Sequence, residues 1–149
     1  MRHLKKAALI ATMLAMPLVA MAQNASPVGV WKTIDDETGK PKSLVRITEE
    51  GGALTGKIEK LFRPADQDQN PKCTSCEGAR KDQPIIGMTI LWGLKKDGNE
   101  YTGGEILDPA KGKTYKSKAT LKDNGSKLEV RGYIGAPMFG RSQTWVREQ

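Results

Sequence analysis

Apolar and polar residues alternate along most of this chain with a period of two, the repeat of a strand with one dry face. In Tyr115–Leu121, Tyr115, Ser117, Ala119 and Leu121 take one side, and Lys116, Lys118 and Thr120 take the other. Leu128, Val130 and Ile134 similarly oppose Glu129 and Arg131, and Met88, Ile90, Trp92 and Leu94 share an apolar face. No segment after residue 22 sustains the three-to-four-residue period of an amphipathic helix. The pattern predicts strands at Val30–Ile34, Ser43–Glu49, Leu54–Phe62, Gly87–Lys95, Glu100–Leu107, Thr114–Lys122, Lys127–Ile134 and Ser142–Arg147.

Five of the intervening segments are hairpin-sized and rich in Gly, Asp and Asn, residues that tolerate positive φ: 36–40, 50–52, 96–99, 108–113 and 123–126. Short links force neighbours to pair antiparallel, and parallel pairing needs crossovers that the sequence lacks. Eight strands in a meander remove their edges by closing. The expected fold is therefore all-β, an eight-stranded antiparallel up-and-down barrel. Such a barrel has room for its own side chains or for one small ligand.

The first 22 residues break the pattern. Arg2, Lys5 and Lys6 precede an apolar run from Ala7 to Val19, and Ala20-Met21-Ala22 places small residues before polar Gln23. This is the order of a cleavable secretory signal peptide, and the run is shorter than a bilayer span. The expected organisation is a signal peptide over 1–22 and one barrel domain over 23–149, with no integral membrane span in the mature chain. The expected location is the periplasm or the outside of the cell.

Cleavage removes Arg2, Lys5 and Lys6, leaving 21 of the 24 Lys and Arg against 17 Asp and Glu, a formal charge of +4. That charge is spread along the chain without a basic block, which argues against nucleic acid as a partner. The one histidine, His3, leaves with the signal peptide. A His-based triad or general base and the common zinc sites are then out of reach, and no cofactor or metal is expected.

Cys73 and Cys76 lie in the longest irregular stretch, Arg63 to Ile86. In an oxidising compartment they read as a local disulfide, with thiol-redox chemistry as the competing reading. Asp66, Asp68, Asn70 and Glu77 match several positions of a calcium loop, but Pro71 stands where such a loop needs glycine. A polar loop is the simpler account. Asp35, Asp36 and Glu37 read as turn formers.

Aromatic residues fall on separate strands. Trp92, Tyr101, Tyr115, Gln143 and Trp145 are the candidate interior lining, with Arg131 or Arg141 at the mouth and Trp92 facing Trp145 across the barrel. Arg147 on the last strand is expected to lie across the ring of Trp31 on the first, closing the barrel floor by a cation–π contact.

Gly29-Val30-Trp31 with a late arginine resembles the opening and closing pattern of lipocalins and avidins. More extensively, several segments resemble a bacterial secreted family, domain of unknown function 2147. They include Gly29–Asp35, Cys73-x-x-Cys76, Lys81–Met88, Trp92-Gly93-Leu94, Gly104-x-Ile106-Leu107-Asp108-Pro109, Tyr115, Arg131–Gly135 and Gly140-Arg141-x-Gln143-Thr144-Trp145. The resemblance implies a lipocalin-like barrel acting outside the cytoplasm, and it brings no site residues with it. Three functions follow as expectations: a non-enzymatic binder of a small apolar or amphipathic ligand; a side-chain-filled barrel that works as an envelope or secreted protein-interaction module; and, third, a thiol-redox or other enzyme.

Overall fold

A computed structural model of the chain describes residues 11–12 and 26–148. The signal-peptide reading of 1–22 lies almost wholly outside the described residues. Eight strands form: β1 Gly29–Ile34, β2 Pro41–Glu50, β3 Ala53–Leu61, β4 Thr89–Asp97, β5 Glu100–Asp108, β6 Lys113–Lys122, β7 Lys127–Tyr133 and β8 Gly140–Arg147. Each pairs antiparallel with the next, and β8 returns to β1 through Trp31–Arg147 and Lys32–Val146, closing the barrel. Among the described residues the helical content is two three-residue 3₁₀ turns, Gly78–Arg80 and Asp123–Gly125.

In an up-and-down barrel, alternate connections gather at opposite ends. The links β2–β3, β4–β5 and β6–β7 are tight turns at the floor. The links β1–β2, β3–β4, β5–β6 and β7–β8 form the other end, which we call the mouth. The floor is packed solid: Trp31, Ile47, Leu54, Leu94, Leu128 and Trp145 are all buried within one core cluster. Trp31 is 0% exposed, and its indole N–H donates to the Pro27 carbonyl at 2.8 Å. The guanidinium of Arg147 lies 4.4 Å from the centre of that ring. Its remaining donors reach the carbonyls of Gly125 (2.7 Å), Val28 (2.9 Å) and Ser26 (2.7 Å), so one side chain ties the entering segment to the β6–β7 turn. The cation–π floor expected from sequence is present.

The sequence pattern misplaces one strand face. Met88, Ile90, Trp92 and Leu94 do not share a single face along β4. Met88, Ile90 and Leu94 are buried as expected, but Leu91 is buried with them at 0% exposure, and the step from Leu91 to Leu94 spans three residues. Gly93 supplies that step at φ +76°, beside Gly103 at φ +74° on β5. The two strands run so close here that a Cβ on Gly104 would sit 2.7 Å from the Leu94 side chain. On its other side β4 shifts register against β3 opposite Thr89, Leu91 and Leu94, so the strict alternation assumed for an unbroken strand fails and Trp92 faces outward.

Cys73 and Cys76 are joined in a disulfide and are both buried. The Cys73 amide donates to the Gln83 carbonyl and the Asp82 amide to the Cys73 carbonyl, folding the long β3–β4 connection back on itself. This connection packs on the β5–β6 turn at Gly112, where a Cβ would overlap the Ser75 carbonyl.

Candidate functional site

Above the packed floor the barrel is hollow. A cavity of ≈ 1160 Å³ runs from the level of Trp145 to the mouth. Its walls come from the inward positions of successive strands. Directly opposed residues share a face, and the register pairs Ile106 with Tyr115, Ser117 with Gly132, Val130 with Gln143 and Thr33 with Ser43. Ile58, Ile90, Ile106, Val130 and Trp145 supply apolar wall.

Three of the five expected lining residues meet in this cavity: Tyr115, Gln143 and Trp145. Trp92 does not. It stands opposite Glu105 on the outer surface, donating its indole N–H to that carboxylate at 3.0 Å, with the Arg80 guanidinium 4.7 Å from its ring. There it clasps the β3–β4 connection to the barrel wall, and it does not face Trp145. Tyr101 pairs with Ala119 and Lys96 at the floor end and is absent from the cavity wall. Burial raises its phenol pKa, and the nearby Glu49 charge adds to the shift.

The polar part of the wall is small. The Thr33 and Ser43 hydroxyls lie 2.6 Å apart and both residues are buried. Trp145 donates its indole N–H to the Gln143 side-chain oxygen at 3.2 Å. Thr33 and Ser43 were legible in principle, being two positions along from Trp31 and Val45 on the buried faces of β1 and β2. Their polarity hid them from a search for aromatic lining.

Every charged residue on the cavity surface stands at the mouth: Asp35, Asp36, Glu37, Lys42, Arg63, Asp68, Lys72, Asp108, Lys111 and Arg141, all on connections or within two residues of a strand end. Arg141 pairs with Asp36 at 2.6 Å and Glu37 at 3.2 Å across 105 and 104 residues of sequence, and these partners raise its pKa. Asp35 accepts the amides of Glu37 (2.8 Å) and Thr38 (3.0 Å), and these bonds hold its carboxyl below the ordinary carboxylate value. The turn-former reading thus describes Asp35, while Asp36 and Glu37 also brace β8. Arg131 stands near the mouth end but off the cavity surface. It points outward beside Ser142 and bonds the carbonyls of Pro137 and Gly140, holding the β7–β8 turn. That turn presents Ile134, Met138 and Phe139 to solvent at 67%, 76% and 69% exposure, and Ile134 and Phe139 edge the cavity as an apolar lip.

Asp68, in the calcium-like stretch, caps the Asn70 amide at 2.9 Å. No group of three or more His, Cys, Asp or Glu is placed to hold a metal ion among the described residues. No described helix is long and apolar enough to cross a membrane.

The model of a family described as an uncharacterized protein conserved in bacteria (DUF2147) matches residues 29–147. Among solved structures, protein HP1028 from Helicobacter pylori, described as belonging to the lipocalin family, matches with a TM-score of 0.71 at 22% identity. The match covers 83% of this chain and 84% of that one. At that identity the likeness shows a shared fold. No curated protein matches the chain significantly.

Proposed function

The chain belongs to the bacterial DUF2147 family, and we propose that this member is an exported, non-enzymatic carrier of a small apolar or amphipathic ligand held inside the barrel. The cavity itself carries the reading. Its volume, ≈ 1160 Å³, lies just above the range of about 300–1,000 Å³ usual for small-molecule sites, and it is apolar on its walls with a few directed polar groups. Removing an apolar molecule from water into it is favourable by roughly 25 cal/mol per Å² of buried surface. The mouth charges keep the opening wetted, and the Ile134–Phe139 lip gives an apolar ligand a first foothold.

Export is supported by the charged, apolar and small-residue order of 1–22 and by the Cys73–Cys76 disulfide, a bond at home in oxidising compartments. On this reading 1–22 is removed and 23–149 is the working domain. The exposed lip favours one second reading, a surface module that docks a protein through Ile134, Met138 and Phe139.

Titration with the neutral fluorescent probe N-phenyl-1-naphthylamine separates the two. A carrier binds the probe with about one site per chain and transfers energy from Trp145. Trp92→Phe leaves the probe affinity unchanged, because Trp92 lies outside the cavity. Absence of probe binding by a folded protein overturns the carrier reading and leaves the lip as the functional surface.

A further inference from the structure

Resting on the carrier reading, we infer that the ligand is an uncharged molecule bearing a hydrogen-bond acceptor, such as a ketone, ester or ether oxygen, and that Gln143 is the residue that recognises it. The orientation of the Gln143 amide follows from its neighbour. An indole N–H is a donor and never an acceptor, so the Gln143 group facing Trp145 Nε1 must be the oxygen. The side-chain nitrogen is then turned to the cavity, where it donates to no protein acceptor among the described residues. Gln143 sits between Arg141 at the mouth and Trp145 at the floor on one face of β8, opposite Val130. A fixed amide donor is thereby presented part-way down an apolar shaft.

The surroundings select what it can receive. Thr33 and Ser43 satisfy each other. Tyr115 can donate or accept and so does not discriminate. All charged groups on the cavity surface stay at the mouth, so an ionised headgroup lowered to Gln143 would be desolvated without a counter-charge. A neutral acceptor faces no such cost and supplies the bond that Gln143 Nε2 lacks.

The test uses two probes of nearly equal shape, 2-acetylnaphthalene and 2-ethylnaphthalene, with affinities from titration calorimetry. The full protein is expected to prefer the ketone by about fivefold, the worth of one net hydrogen bond. Gln143→Glu, assayed at alkaline pH where the carboxyl is ionised, keeps an oxygen for Trp145 and replaces the NH₂ by an acceptor, so the preference should vanish. Gln143→Met, which lacks both groups, should also bind the two probes equally, and it decides the matter if the Glu variant fails to fold. Equal binding by the unmodified protein, or a ketone preference that survives in a folded variant, overturns the inference while the carrier reading stands. Failure of both probes to bind overturns the carrier reading itself.

Discussion

Trp31→Ala should lower the stability of the barrel by about 3–5 kcal/mol, the range for removing a fully buried large aromatic. The indole is 0% exposed and packed into the floor at the seam where β1 meets β8. Truncation opens a void there that the neighbouring strands cannot collapse into without breaking their ladders. It also deprives the Pro27 carbonyl of its donor and removes the ring beneath Arg147. The guanidinium, still tethered to three carbonyls, would be left over an empty space. Trp31→Phe retains most of the volume and loses one hydrogen bond, so about 1–2 kcal/mol is expected. Urea denaturation followed by far-ultraviolet circular dichroism measures both. A loss under about 1 kcal/mol for the alanine variant would mean that the floor is not closed by this residue.

The second large effect is on binding. Gly132 lies on the cavity wall, paired with Ser117 and Arg141 on the inward face of β7. A Cβ there meets Ile106 at 3.4 Å and Tyr115 at 3.5 Å, ordinary contact distances, so a side chain can start without a backbone clash. Gly132→Phe then projects a ring across the shaft, while the floor that holds the barrel together is untouched. Probe affinity should fall by about a hundredfold or more, the loss of nearly 3 kcal/mol of contact. Unchanged affinity with a native fold would place the binding site elsewhere on the molecule.

Much of the fold is legible in the chain because it rests on local rules. Alternation along β6 and β7 shows the buried face directly, and the glycine- and aspartate-containing turns mark where the chain reverses. Trp31 and Arg147 are predictable partners because closure of an eight-stranded meander brings its first and last strands together.

What fails to show depends on long-range geometry. The ladder between β3 and β4 shifts register twice, between Leu54 and Gly56 and between Gly56 and Lys57, and nothing in β4 alone announces these irregularities. Trp92 is therefore placed inside by periodicity and outside by the register shifts. The bracing of Arg141 by Asp36 and Glu37 joins residues more than a hundred positions apart. Aromatic content was a poor guide to the cavity lining, since Tyr101 packs at the floor end. Ile58, Ile90 and Val130 form wall that in sequence is indistinguishable from ordinary core.

Native mass spectrometry of the protein purified without denaturation from its own host tests the carrier account most directly. The account predicts a species heavier than the disulfide-bonded polypeptide by on the order of a few hundred daltons, the mass of a small-molecule ligand. That increment should disappear on extraction with organic solvent and be missing from Gly132→Phe. Bare polypeptide mass in the unmodified protein, together with no uptake of N-phenyl-1-naphthylamine, would contradict it.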